Sequence, residues 1–275
     1  METVSSLKQT PYWTQEHFLS LSNGRPMRFT TTISLVLLVI TWLVASHFAQ
    51  SDAFPGPAAV GEKMIQEGLS GELWTHLGAT FARVFVAFGC AWACGLVVGA
   101  LLGRSEALDQ WFWPWVNTFL NMPALVVIVI CYLGLGMTEL AAILAVVVNK
   151  APLIVVNVRD GVRQFESRYE EFASIYRLSW IQKVRLIWIP QLEPFLFTAL
   201  RTGLSLTWKI ILVVELLGRS SGVGFQIHLY FQLFEVDMIL AYALSFMIAM
   251  QLIEWTMVRP LERHVQRWRK DGQLA

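Results

Sequence analysis

Residues 169–195 read YEEFASIYRLSWIQKVRLIWIPQLEPF, a basic, aromatic-rich stretch set between apolar runs long enough to cross a bilayer. Phe172, Ile175 and Tyr176 fall on one helical face, and Ile181, Val184, Ile187 and Trp188 fall on another. The spacing predicts two short helices with a bend near residues 177–179, and it predicts that Pro190 and Pro194 halt the second helix before the next span starts. Periodicity alone leaves two uses open for such a hairpin: resting on the inner leaflet through its Arg, Lys and Trp side chains, or docking on a partner.

Outward from this stretch the chain is lipid-like. Of 275 residues 55% are hydrophobic and 15% charged, and the charges cluster so that long runs are free of them. A hydrocarbon core of about 30 Å needs about 20 apolar helical residues. Six stretches qualify, near 29–49, 77–103, 111–136, 138–158, 195–217 and 236–258. The expectation is an all-α membrane protein with a tail over residues 1–28, a membrane domain over 29–258 containing the loop at about 160–194, and a second tail over 259–275. The polar leader before the first span is longer than the n-region of a cleaved signal peptide.

Lys and Arg stay on the cytoplasmic side, and here they are one-sided. Lys8, Arg25, Arg28, Arg104, the six basic residues from Arg159 to Arg185, and the five from Arg259 to Lys270 share one side, whereas the opposite loops carry only Lys63 and Arg219 among several acids. Both termini are therefore expected in the cytoplasm. The net charge of +1 hides this partition and implies no nucleic-acid partner.

Smaller features refine the picture. "SDAFPGPAAVGEKMIQEGLS" (51–70) reads as an amphipathic helix on the outer surface. Ala87, Ala91, Gly95, Gly99 and Gly103 form a small-residue stripe that admits a second helix, from the same chain or from another subunit. Pro123 and Pro152 open spans three and four beside polar neighbours. Cys90, Cys94 and Cys131 lie within spans and read as small hydrophobes; no metal site or cofactor is expected. There is no G-x-x-x-x-G-K-[ST] loop for ATP, no H-E-x-x-H and no intramembrane aspartate pair. The five histidines read as isolated groups at interfaces, in loops and in the tail.

Charges at bilayer depth are costly and mark candidate sites. Arg83, Lys150, Arg201, Lys209 and Glu215 qualify by position, with Arg83 read as a structural anchor or a substrate contact near the outer end of span two. Lys209 and Glu215, six residues apart on span five, point to different faces, toward an anionic solute or a neighbouring helix; Glu215 alternatively fixes the outer gate. Asn117, Asn121, Met122, Asn149 and Trp208 are further path candidates.

The run Glu171, Ala173, Ser179, Ile189-Pro190 and Pro194, followed by "TALRTGLSLTWKIILVVELLG", resembles the EAA loop of ABC-importer permeases. "FPGPAAV" (54–60), "GELWTHLGATFARVFVAF" (71–88), "YLGLGMTELAAI" (132–143), "APLIVVNVRDGVR" (151–163) and "ELLGRSSGVGFQI" (215–227) resemble the branch that imports taurine, alkanesulfonates, nitrate and bicarbonate. The resemblance implies a type I ABC-importer permease fold with six spans and a cytoplasmic coupling helix. It also implies separate ABC ATPase subunits, a second permease copy and a periplasmic solute-binding protein. In it Glu171, Phe172, Ala173, Ile175, Tyr176, Arg177, Ser179 and Pro190 form the ATPase-coupling loop. Two positions depart from the pattern: Phe172 stands for the family's Ala, and Arg177 for its turn Gly, which implies either another bend geometry or a different partner surface. The alternative is a secondary transporter or channel working without ATP.

Overall fold

The computed structural model describes residues 27–49, 51, 53–258 and 260. The sequence assignments of both tails fall almost wholly outside those residues. Every regular element among the described residues is helical. The chain divides into two units, Met1–Ser51 and Asp52–Ala275. The described part of the first is α1 (Met27–Ala49), whose residues Thr32–Ala49 are apolar and long enough to cross a membrane.

The second unit begins with α2 (Pro57–Ser70), launched by a proline in its first turn and closed by Gly71 at φ 89°. α3 (Glu72–Arg104) follows, 33 residues and about 50 Å long, so it overshoots the hydrocarbon core. α4 (Glu106–Asn121), α5 (Ala124–Leu135), α6 (Glu139–Arg163), the hairpin, α9 (Ile189–Gly218), α10 (Val223–Leu233) and α11 (Val236–Ile253) complete it. Ser105 and Thr138 cap α4 and α6, each accepting a hydrogen bond from a backbone N–H of the first turn.

Among the described residues four helices are long and apolar enough to span alone, and the total reaches six if each of two bent pairs counts as one span. The expected single span over 111–136 is one of these pairs: α4 and α5 meet at 98° across Met122-Pro123. Pro123 cannot donate a backbone hydrogen bond, and the residue before a proline disfavours helix; Met122 accordingly sits at φ −71°, ψ 130°.

The helical stop expected at Pro190 and Pro194 does not occur. The helix starting at Trp180 continues through a π turn over Val184–Trp188 into α9, and Pro194 lies inside it. The wider turn shifts the hydrogen-bond register, with the N–H of Ile189 reaching back to the carbonyl of Val184. The N–H that Pro190 lacks falls at this shift, so its absence costs the ladder little.

The centre is α3 against α6. A Cβ on Gly95 would lie 2.5 Å from Ile154 Cβ, one on Gly99 would lie 2.7 Å from Val158 Cβ, and one on Gly103 would lie 2.6 Å from Val162 Cβ. Ala87 and Ala91 continue the stripe and are wholly buried. The small-residue row therefore packs within the chain, letting two backbones approach where lipid supplies no hydrophobic drive. One apolar cluster, around Ile154 and Val158, forms along this seam, and others lie around Ile211 and Val146 and around Tyr242 and Val223. Cys90 and Cys94 are exposed on the outside of α3.

At the hairpin end, buried Asp109 of α4 accepts hydrogen bonds from Arg159 (Nη2–Oδ2 2.8 Å) and Arg163 (Nη2–Oδ2 2.7 Å), and the Arg159 guanidinium lies 3.8 Å from the Trp113 ring centroid. This triad fixes α4 to α6, using two of the basic residues that mark that side of the membrane.

Candidate functional site

The hairpin is built from two local rules. α7 (Ser167–Ile175) ends in a Schellman motif: Leu178 N–H donates to Ala173 O at 3.0 Å, and Arg177 N–H donates to Ser174 O at 3.2 Å. Ser179 then caps α8 (Trp180–Lys183) in a reciprocal capping box with Gln182. Arg177 is left-handed at φ 49°. The bend thus uses the geometry a glycine would adopt, at a cost of about 1–2 kcal/mol for a residue with a Cβ. Arg177→Gly is accordingly expected to slow amide exchange over 170–180 by about fivefold or more, measured by hydrogen–deuterium exchange; unchanged or faster exchange would contradict this account of the turn.

Of the sequence-assigned loop residues, Ala173 is buried, whereas Glu171, Phe172, Ile175, Tyr176, Arg177, Ser179 and Pro190 are exposed. Phe172, Ile175 and Tyr176 are 50%, 75% and 64% exposed, and the Phe172 and Tyr176 rings lie 4.4 Å apart. The base of the hairpin is fixed by Glu170, which accepts from Trp188 Nε1 at 2.8 Å and lies 3.6 Å from Lys183 Nζ. Trp180 and Trp188 meet edge to face at 4.3 Å.

At the opposite end, the 215–227 motif closes around a buried ion network. Arg83 uses all five guanidinium hydrogens. Nε and Nη2 hold Glu139 at 2.9 and 2.8 Å, Nη1 holds Glu215 at 2.6 Å and Ser221 O at 2.8 Å, and Nη2 also reaches Ser221 Oγ at 2.7 Å. Glu215, fully buried, also accepts from Thr80 Oγ1 and from Gly224 N–H, each at 2.9 Å. Arg219 braces Glu139 and donates to Met137 O at 2.6 Å. Bidentate pairing of this kind, with every Arg83 hydrogen and both Glu215 oxygens engaged, is the condition under which buried charges persist.

The glycines are dictated by this network. Gly222 is at φ 109°, and a Cβ there would meet the Glu215 carboxylate at 2.3–2.4 Å; a Cβ on Gly224 would meet Leu212 O at 2.3 Å. His76 is not the isolated surface group expected from sequence. It is buried, its Nδ1 accepts from Gly222 N–H at 3.0 Å, and its Nε2 faces the Gln226 amide at 2.5 Å. With Nδ1 accepting, the ring proton sits on Nε2, which pairs with Gln226 when the amide oxygen is turned toward it.

The remaining candidates lie at mid-depth. Asn117 and Asn121 are exposed one turn apart on α4, with Asn121 Nδ2 donating to Asn117 O at 2.8 Å. Met122 and Trp208 are half-buried against the core, and Asn149 Nδ2 points to Met122 O at 3.5 Å. Lys209 is exposed on α9 and Glu215 is enclosed, on different faces as expected. The contacts of Gly203 with Ile154 and of Gly161 with Phe195 align α9 antiparallel to α6. That alignment sets Lys209 and Lys150 within about 4 Å of the same depth. Neither has a hydrogen bond or ion pair among the described residues. Thr198, Thr202 and Ser205 lead to Lys209 along one stripe of α9, exposed except for half-buried Ser205.

Sequence reading missed the pairing of Arg83 with Glu215. The available signal was an Arg and a Glu, each within an apolar run near the same end of its span, since burial of one charge demands the other.

Fold and site together define a multi-pass helical membrane protein with a projecting hairpin and a largely buried ion network at the other end. Residues 94–261, more than half of the chain, match the binding-protein-dependent transport system inner membrane component family, and the chain belongs to it. It is similar to the taurine transport system permease protein TauC of Escherichia coli (strain K12), 26% identical over 258 residues, covering 90% of this chain and 94% of that one. It is also similar to the bicarbonate transport system permease protein CmpB of Synechococcus elongatus, 29% identical over 217 residues and covering 74% and 77%. A chain of the MetNI methionine ABC transporter shares the fold, with TM-score 0.60 and 21% identity over 73% of this chain and 98% of that one. The protein is thus a permease subunit of a binding-protein-dependent ABC importer in the inner membrane, which favours the importer over an ATP-independent transporter or channel.

Proposed function

We propose that two copies of this chain form the pathway for a small anion, with hydrolysis on separate ATPase subunits docked at the hairpin and solute supplied by a periplasmic binding protein. In this reading both termini and the hairpin are cytoplasmic, following the one-sided Arg and Lys distribution. The observation that carries the anion is the α9 stripe. A lysine exposed at bilayer depth is costly against lipid, so the stripe is covered by a second copy or by water. Lys209 and Lys150, without carboxylate partners among the described residues, give that lining a positive character. Relatives named for the transport of taurine, a zwitterion that carries a sulfonate, and of bicarbonate, an anion, support a solute that bears an anionic group. The coupling-loop residues Glu171 to Ser179 and Pro190 transmit ATPase closure to α9 through the unbroken helix from Trp180 to Gly218.

Lys209→Met is expected to lower uptake about tenfold or more in proteoliposomes offered taurine, an alkanesulfonate, nitrate and bicarbonate in turn, since a charged hydrogen bond is worth about 1.5–3 kcal/mol. Lys209→Arg should retain most of the flux. Wild-type uptake by the methionine variant would remove Lys209 from the path.

A further inference from the structure

An apolar groove of about 400 Å³ runs between the last two turns of α3 and the second limb of the hairpin. Val97, Leu101, Phe165 and Leu192 are among its walls. Arg104, the last residue of α3, stands at one end with its guanidinium 3.6 Å from the Trp188 ring centroid and 5.7 Å from that of Trp180. Among the described residues Arg104 has no carboxylate partner. Val97 to Arg104 spans about 10 Å of helix, so the groove passes from an apolar depth to a belt of two tryptophans and an arginine, the composition of a membrane interface.

We propose that this groove binds one anionic phospholipid of the leaflet on the hairpin side. An acyl chain lies along Val97, Leu101 and Leu192, and the phosphate is held by Arg104. A guanidinium stacked face-on over an indole keeps its N–H edge free to donate to phosphate oxygens. The Trp188 ring that presents it is itself fixed by the hydrogen bond to Glu170. A volume of about 400 Å³ falls within the range of single small-ligand sites, about 300–1,000 Å³. Charge complementarity selects an anionic over a zwitterionic headgroup, and the apolar walls select a lipid over free phosphate.

The test is native mass spectrometry of the full-length protein, purified in mild detergent with its native subunits. The sample is exposed to equimolar phosphatidylglycerol and phosphatidylcholine of identical chains. The wild type should retain phosphatidylglycerol preferentially. Arg104→Gln should lose that preference about fivefold, the scale of one cation beside an anionic headgroup. Arg104→Lys should keep it within about twofold, and Val97→Phe, which fills the groove from an exposed position, should lower retention of both lipids. Equal retention of the two lipids by the wild type would overturn the proposal, as would unchanged retention by Arg104→Gln. Equal losses in the lysine and glutamine variants would assign Arg104 a purely structural role and also overturn it. Crosslinking of a cysteine at position 101 to α1 in lipid-saturated protein would show that helix, and no lipid, in the groove.

Discussion

Glu215→Ala is expected to destabilise the protein by about 3–5 kcal/mol, the cost of removing one partner from a buried ion pair. The carboxylate is wholly enclosed and accepts from Arg83, Thr80 and Gly224, so its loss strands a guanidinium edge, a hydroxyl and a backbone N–H together. Arg83 would keep Glu139, but that carboxylate is half exposed and shared with Arg219. The measurement is thermal unfolding in detergent beside Lys209→Met, a change at an exposed position of the same helix that should leave stability within about 0.5 kcal/mol. Equal stability of the two variants would show that the network does not hold the end of the bundle opposite the hairpin. Arg83→Met should cost a similar amount, and the double variant Arg83→Met/Glu215→Met should be less damaged than the sum of the single changes, because the two side chains act as a unit.

Phe172→Asp acts at the other end and through a different property. Phe172 is half exposed and packs on Tyr176, so a charge there costs little folding energy. If the apolar face of α7 docks on an ATPase subunit, the change removes an aromatic anchor and buries an unpaired carboxylate. Anchors of this kind are worth about 2 kcal/mol or more, which corresponds to roughly thirtyfold in affinity. Membrane insertion and thermal stability should match the wild type, while co-purified ATPase and uptake are lost. Normal assembly and uptake in this variant would refute the docking role of the hairpin.

How much of this was legible in the sequence depended on whether local chemistry or tertiary pairing decided the outcome. The hairpin bend was readable because the apolar face changes between Tyr176 and Ile181, and the capping box of Ser179 with Gln182, a local rule, fixes it there. The small-residue stripe was readable, but its partner was not, since a row of glycines does not name the helix that fills it; Ile154, Val158 and Val162 do so only in three dimensions. Pro190 and Pro194 read as a stop because proline removes a backbone donor, yet the π turn ahead of them absorbs the loss. Arg177 read as a departure from a glycine turn, and the chain adopts the left-handed conformation regardless. The least legible feature was the network at the 215–227 motif. It joins Arg83, Glu139 and Glu215 across 56 and 132 residues of chain, and Gly222 is required there by a carboxylate that no local rule brings near.

The central claim is that the segment at 170–180 transmits force from a separate nucleotide-hydrolysing subunit into the bundle. The most direct test is site-specific photocrosslinking from positions 172, 175 and 176 in native membranes, with nucleotide state varied and products identified by mass spectrometry. The account predicts adducts with an ATPase subunit whose yield changes with bound nucleotide, and protection of single cysteines placed at the same positions from impermeant thiol reagents added outside the cell. Adducts with lipid alone at every position, or labelling from the outer side, would contradict it.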